Sequence, residues 1–271
     1  MAAHDPLGHV IDHRTLEFPW WTPPTYELKI NLPTILGVDI TRFMVMEVVA
    51  GLLMIAILIP LAGHVRRHAV TRGGFLNAFE ALLLYIRDEV ARPAIGGREA
   101  DRYLPYLWTA FFFVLFNNLL ATIPGGATAT ANINVTGVLA LTTLGVVISA
   151  GVREAGVAGF VTGLVPHMDV PPALKVFLWP LMFLIEVAGL LIKHIVLAVR
   201  LFANMFAGHV VLAVILGFIL AAKGALFYVV MPASVTGVIL LSMLELFVAF
   251  LQAYIFVFLS AIFIGAAVHP H

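Results

Sequence analysis

The sequence predicts an all-α membrane protein, with about five membrane-embedded helices and one amphipathic helix on the surface. Three observations carry this prediction. Of 271 residues, 62% are hydrophobic and 11% charged, with a mean hydropathy of +1.04; a soluble domain is about half apolar and a quarter charged. Apolar stretches of about 20 residues, enough to cross a bilayer, recur along the chain. An arginine-rich segment separates the first two. Such a balance excludes a soluble globular enzyme, a disordered tail and a nucleic-acid binder. Lys and Arg total 15 against 15 Asp and Glu, so no net field draws the chain to nucleic acid. There is no cysteine, which removes disulfides, thiolate metal sites and a Cys nucleophile.

Residues 1–42 form a mixed, polar N-terminal segment with Asp5, Asp12, Arg14, Glu17 and Glu27. It lacks the short apolar core of a cleavable signal. Trp20 and Trp21, beside Pro19, Pro23 and Pro24, place part of it at a membrane interface, where Trp is enriched. Residues 43–63 form the first transmembrane helix, with Glu47 as its one acid. Residues 64–103 form a loop carrying Arg66, Arg67, Arg72, Arg87, Arg92, Arg98 and Arg102. Inside it Phe75, Phe79, Leu82, Leu83, Ile86 and Val90 recur at helical spacing, with Glu80, Arg87, Asp88 and Glu89 elsewhere on the wheel. That pattern predicts an amphipathic helix lying on the membrane. Residues 104–150 form a transmembrane hairpin, with spans at 104–123 and 133–150 joined by the uncharged turn IPGGATATAN. Residues 151–172 form a connection containing Arg153.

Arginine also sets orientation, because Lys and Arg near span ends favour the cytoplasm. The 64–103 loop has seven and the first 42 residues have three. The loop and the 151–172 connection are therefore expected in the cytoplasm, and the N-terminus outside. From 176 to 268 the chain is apolar almost without pause, with no proline between Leu181 and Met231. One helix over 181–222 would be about 60 Å long, twice the hydrocarbon thickness of about 30 Å. Either the stretch folds into two upright helices or it is one strongly tilted helix, and periodicity does not choose. Pro232 is expected to mark a turn, with the final helix at 236–268.

Ionisable residues inside a span cost about 2.5 to 3.5 kcal/mol on translocon scales and read as functional by default. They concentrate in the last third: Glu186, Lys193, His194, Arg200, His209 and Glu245, with Asn204 and Gln252 beside them. Arg200 stays charged at any working pH, so it is a fixed charge in need of an anion and not a proton carrier. Snorkelling to an interface, or pairing with an acid of the same chain, is the plainer alternative. Asn204, four residues on, shares its face. Glu186 and Lys193 fall roughly on the same side as Arg200, which gives a polar path from the cytoplasm or an interfacial Glu with its head in water. His209 points to nearly the opposite face. Glu245 and Gln252 share a face of the last helix. An acid and an imidazole in an apolar setting relay protons or form a structural hydrogen bond between helices. Asn117 and Asn118 sit in mid-span and fit helix packing as well as a water path. The histidines at 4, 9, 13, 64, 68, 269 and 271 have no metal-ligand spacing, and no cofactor motif is present.

The run PLMFLIEVAGLLIKHIVLAVRLFANMFAGHVVL closely resembles the most distinctive stretch of the subunit a family of F-type ATP synthases. So do YIRDEVA at 85–91, FFFVLFNNLLATIPGG at 111–126 and LELFVAFLQAYIFVFL at 244–259. The resemblance covers about residues 40–265. It implies a stator channel, not catalytic by itself, that stands against a ring of c subunits and works with the b-subunit peripheral stalk and the other ATP synthase subunits. Two half-channels load and unload the ring carboxylates. Arg200 matches the family's essential arginine, Asn204 its neighbouring asparagine and Gln252 the glutamine facing it. Glu186 matches a cytoplasmic half-channel position, which Lys193 and His194 adjoin. His209 and Glu245 match the outer half-channel pair. Residues 173–268 become a steeply tilted hairpin cupping the ring.

Two departures stand out. Many bacterial members have Lys-Pro where this chain has Lys193-His194, so the helix there is expected to be unkinked. Many carry the acid at the position of His209 and the imidazole at that of Glu245; here they are exchanged. His209 and Glu245 favour H⁺ over Na⁺ as the coupling ion. With no transit peptide in view, a bacterial plasma (inner) membrane is the expected location, with the C-terminus cytoplasmic. A secondary transporter using Arg200 to hold an anion would need a midplane cavity and an inverted repeat, and neither is visible. A purely structural subunit leaves Arg200, Asn204, His209, Glu245 and Gln252 unexplained together.

Overall fold

A computed structural model describes residues 15–18, 28–35, 38–67, 73–122, 129–165 and 171–269. Two short antiparallel pairs come first: β1 (Thr15–Phe18) with β2 (Leu28–Asn31), and β3 (Thr34–Ile35) with β4 (Val38–Asp39). The helices are α1 (Arg42–Arg67), α2 (Gly74–Tyr85), α3 (Arg92–Ile95), α4 (Gly97–Thr122), α5 (Ile133–Gly163), α6 (Pro172–Ala221) and α7 (Ala225–Val268). A π-helical run, Ile86–Ala91, joins α2 to α3. Trp20, Trp21 and the expected interfacial prolines lie outside the described residues, as do positions 123–128 of the uncharged turn.

Among the described residues, five helices are long and apolar enough to cross a membrane. The chain is a multi-pass integral membrane protein whose spans are all α-helical, the short strand pairs preceding the first of them. The helix expected at 75–90 is present as α2 and the π-helical run, with Ile86 and Val90 buried. α6 runs for 50 residues without a break, so two separate upright helices within it are ruled out. The turn expected at Pro232 is not there. Pro232 lies inside α7, and the chain turns at Ala222–Gly224. Gly224 has φ +62, a conformation that costs glycine nothing, and Lys223 beside it is exposed. A proline in a membrane helix is tolerated where its surroundings accommodate the freed backbone group, here the Tyr228 carbonyl one turn earlier.

The described chain divides into two compact units. The first takes Met1–Gly63, Phe112–Val135 and Leu201–Ala253; the second takes His64–Phe111, Thr136–Arg200 and Tyr254–His271. In the first, Met205 packs with Ala131 and Ala249, and Phe43 with Ala129. In the second, Ile86, Ile95, Leu107, Val147 and Ile264 are fully buried. Small residues let the backbones approach: a Cβ on Gly265 of α7 would collide with the Ala94 carbonyl of α3. Tyr106 and Thr143 share a 2.6 Å hydrogen bond between α4 and α5.

Candidate functional site: two polar regions and an exposed arginine

In the first unit α6 returns as α7, and the two run side by side, with Ile215 against Gly237 and His209 against Glu245. His209 Nδ1 donates to Glu245 Oε1 across 3.2 Å, and each side chain is only 14% exposed. The sequence left a relay and a structural bond open; the geometry gives a direct acid–imidazole pair out of bulk water. Such a pair is stable when its members offset each other's desolvation.

Gly208 makes room for the pair. A Cβ there would strike Glu245 Oε1 and sit 3.3 Å from its Cδ and Cγ, so the carboxylate occupies space that only glycine leaves open. The GH doublet at 208–209 carried that signal, but nothing in the sequence showed what would fill the gap.

One turn beyond Glu245, the Ala249 carbonyl accepts from Asn118 Nδ2 at 3.5 Å, and Asn118 Oδ1 accepts from the Thr130 hydroxyl at 2.9 Å. Asn118 and Thr130 are fully buried. Asn118 therefore ties α4 to α7, which is the helix-packing reading. Thr130 was not anticipated. Asn117 differs: its Nδ2 donates to the Phe113 carbonyl at 2.9 Å, and its Oδ1 is buried without a partner among the described residues. Gln252 is buried and Asn204 half-buried in this unit.

The second unit holds Glu186, Lys193, His194 and Arg200. Glu186 and Lys193, seven residues apart on α6, both line a cavity of about 350 Å³. Its walls include Phe160, Leu164, Leu190 and Phe263. His194 does not join them. It is buried behind that wall, where Nδ1 donates to the Leu190 carbonyl at 2.8 Å and the ring packs 5.2 Å from Phe263. With its proton on Nδ1, the buried Nε2 is an acceptor that no described residue meets. α6 continues through Lys193-His194, and Pro180 is its only internal proline, as the missing Lys-Pro leads one to expect.

Arg200 is exposed. Among the described residues it makes no hydrogen bond and no ion pair. It closes a face of α6 on which Leu184, Leu191, Ile192, Ile195, Val196 and Val199 are also exposed. A guanidinium on an uncovered apolar helix face cannot rest against hydrocarbon alone.

The sequence profile of the ATP synthase A chain family matches residues 44–265. Three relatives named ATP synthase subunit a are similar over most of this chain. The one from Myxococcus xanthus is 43% identical across 87% of this chain and 76% of its own length. That from Anaeromyxobacter dehalogenans is 42% identical across 100% and 70%. That from Anaeromyxobacter sp. is 41% identical across 90%, and the chain spans only 59% of its length. The long apolar helices, the embedded acid–imidazole pair and this similarity agree: the chain belongs to the ATP synthase A chain family.

Proposed function

We propose that the chain is the proton-conducting stator of an ATP synthase, and that Arg200 is the fixed charge at which a ring carboxylate gives up its proton. One observation carries this reading: Arg200 lies exposed on an apolar face with no described acid of its own chain to balance it. Its anion must come from a partner helix that brings a carboxylate into the membrane, and a ring of c subunits is such a partner. A carboxylate arriving from lipid meets the guanidinium, its charged form is favoured, and its proton leaves. Asn204 and Gln252 flank that exchange with neutral hydrogen-bonding groups.

The His209–Glu245 pair belongs to the outer half-channel. An imidazole and a carboxylate in direct contact offer a proton donor and a proton acceptor side by side, which suits H⁺ as the coupling ion. Asn117, with its unpartnered Oδ1, offers a further acceptor in the same unit. Glu186 and Lys193 belong to the cytoplasmic half-channel, and the cavity they line gives it volume; the His194 acceptor adjoins it. Arg200 also repels a proton crossing directly between the paths. Each elementary charge moved across 100 mV is worth about 2.3 kcal/mol, which a leak would dissipate.

In this reading α6 and α7 are steeply inclined, because about 75 Å of helix exceeds about 30 Å of hydrocarbon. The N-terminus faces outward and the C-terminus the cytoplasm of a bacterial cell. The b-subunit stalk and other subunits complete the complex. The test is Arg200→Ala in the complete complex, read as ATP-driven proton pumping in inverted vesicles. The complex assembles and pumping is lost. Arg200→Lys also works poorly, since an ammonium facing hydrocarbon can deprotonate, as a guanidinium does not. Normal coupled pumping by Arg200→Ala would overturn the reading.

A further inference from the structure

We propose that His269 and Glu99 form a proton-collecting pair, which takes protons from buffer and passes them to the path that holds Glu186 and Lys193. The proposal rests on reading the cavity lined by those two residues as the cytoplasmic path. Just past α7 the His269 amide still donates to the Gly265 carbonyl at 2.9 Å, so the helical spiral carries on through it. Gly96, between α3 and α4, has φ +105, and a Cβ there would stand 3.3 Å from His269 Nε2. The imidazole occupies the room that glycine leaves. Its Nε2–H donates to the Ile95 carbonyl at 2.9 Å, and Glu99 Oε2 of α4, shielded from solvent, lies 3.2 Å from the same nitrogen.

With its proton on Nε2, the neutral ring accepts at Nδ1, on a side chain that is 61% exposed. A proton taken there makes an imidazolium that Glu99 meets at ion-pair distance, and imidazole is a common proton shuttle. Of the neighbouring charges, Arg92 of α3 is turned to Asp88 at 2.7 Å and Arg102 of α4 to Glu154 of α5 at 3.7 Å; Arg98, next to Glu99, is exposed. Ala266, three residues before His269 and about 4.5 Å back along the spiral, lines the Glu186–Lys193 cavity and is exposed. The cavity therefore opens within one turn of the pair. Close backbone contacts fix this end of α7: a Cβ on Gly265 would meet the Ala94 carbonyl, and one on Gly151 of α5 would sit 3.3 Å from the Ala267 carbonyl. Free protons at neutral pH reach a single group about 10²–10³ times per second at the diffusion limit. Enzymes turn over at about 1–10³ per second, so a group that draws protons from buffer relieves a real limit on supply.

The experiment is ATP-driven proton pumping by the complete ATP synthase in inverted vesicles, whose cytoplasmic face is outside, in a weakly and in a strongly buffered medium. His269→Gln keeps a donor for the Ile95 carbonyl but carries no proton; His269→Ala removes both. In the weak buffer each should pump about threefold more slowly than the parent. In the strong buffer each should come within about 1.5-fold of it, because mobile buffer then brings protons to the cavity directly. Normal pumping by either variant in the weak buffer, or slowing that is equal in the two media, would overturn the collecting role. Should His269→Ala fail to assemble, His269→Gln decides by the same ratios. Glu186→Gln separates the two readings. A buffer-dependent defect at His269 with pumping unchanged by Glu186→Gln upholds the pair and removes the cavity as its path. Pumping slowed in both media by Glu186→Gln, with His269 variants normal, does the reverse.

Discussion

In the unit that holds Arg200, the charged groups on α6 meet no described ion-pair partner; in the unit that holds His209 and Glu245, the imidazole of α6 and the acid of α7 find each other. His209 and Glu245 meet at 3.2 Å and are mostly enclosed, and Asn118 is bonded on both sides of its amide. Glu186 and Lys193 instead face a cavity, and Arg200 faces outward among apolar side chains. A polar group paired inside the fold is held in one geometry and passes a proton to a neighbour at a fixed distance. A charge left without a partner in its own chain is available to water or to another chain. The first arrangement suits a relay and the second suits exchange with a moving carboxylate, which is how the proposed function divides the two tasks.

The strongest way to break this contrast is to unpair the relay. His209→Ala or Glu245→Ala leaves a largely enclosed charge uncompensated, a change worth about 3–5 kcal/mol where pairs are fully buried and less at this partial exposure. Pumping in inverted vesicles should slow about tenfold, while the membrane stays tight because Arg200 is intact. The double exchange His209→Glu with Glu245→His should retain more pumping than either single exchange, each of which sets two like groups together. A double exchange no better than the worse single one would show that the residues do not act as a pair.

Gly208→Ala sharpens the contrast more gently. The added methyl must displace the Glu245 carboxylate, an overpacking cost of about 1–3 kcal/mol. Pumping should fall severalfold with assembly preserved, and the loss should vanish in a Glu245→Ala background, where the clash is gone. The smallest effect is expected at Asn118, whose bonds are structural. Asn118→Ala should destabilise the purified complex by about 1–3 kcal/mol, read as earlier thermal release of this subunit, and leave pumping within about twofold.

The sequence made the ionisable residues conspicuous because charge in an apolar helix is costly. Arg200, His209 and Glu245 stand out on that ground alone, before any resemblance is invoked. Their environments were less legible. Periodicity could not distinguish one long α6 from two upright helices, since an all-round apolar helix has no period to read. Pro232 looked like a turn because proline lacks a donor, yet membrane helices absorb prolines, and Lys223-Gly224 supplied the turn instead. Glu186 and Lys193 line one cavity, while one helical step turns their sequence neighbour His194 into the packed wall, a difference that adjacency in sequence does not show. Gly208, Gly151 and Thr130 act through what lies across from them, and that is information about tertiary contacts that no single stretch contains.

The central claim is that Arg200 keeps two proton paths apart. The most direct measurement is passive proton flux into vesicles under an imposed membrane potential, with the rotor cross-linked so that the ring cannot carry protons round. The account predicts negligible flux with Arg200 present and a clear flux, unaffected by the locked rotor, in Arg200→Ala. A locked complex that stays equally tight after Arg200→Ala would contradict it.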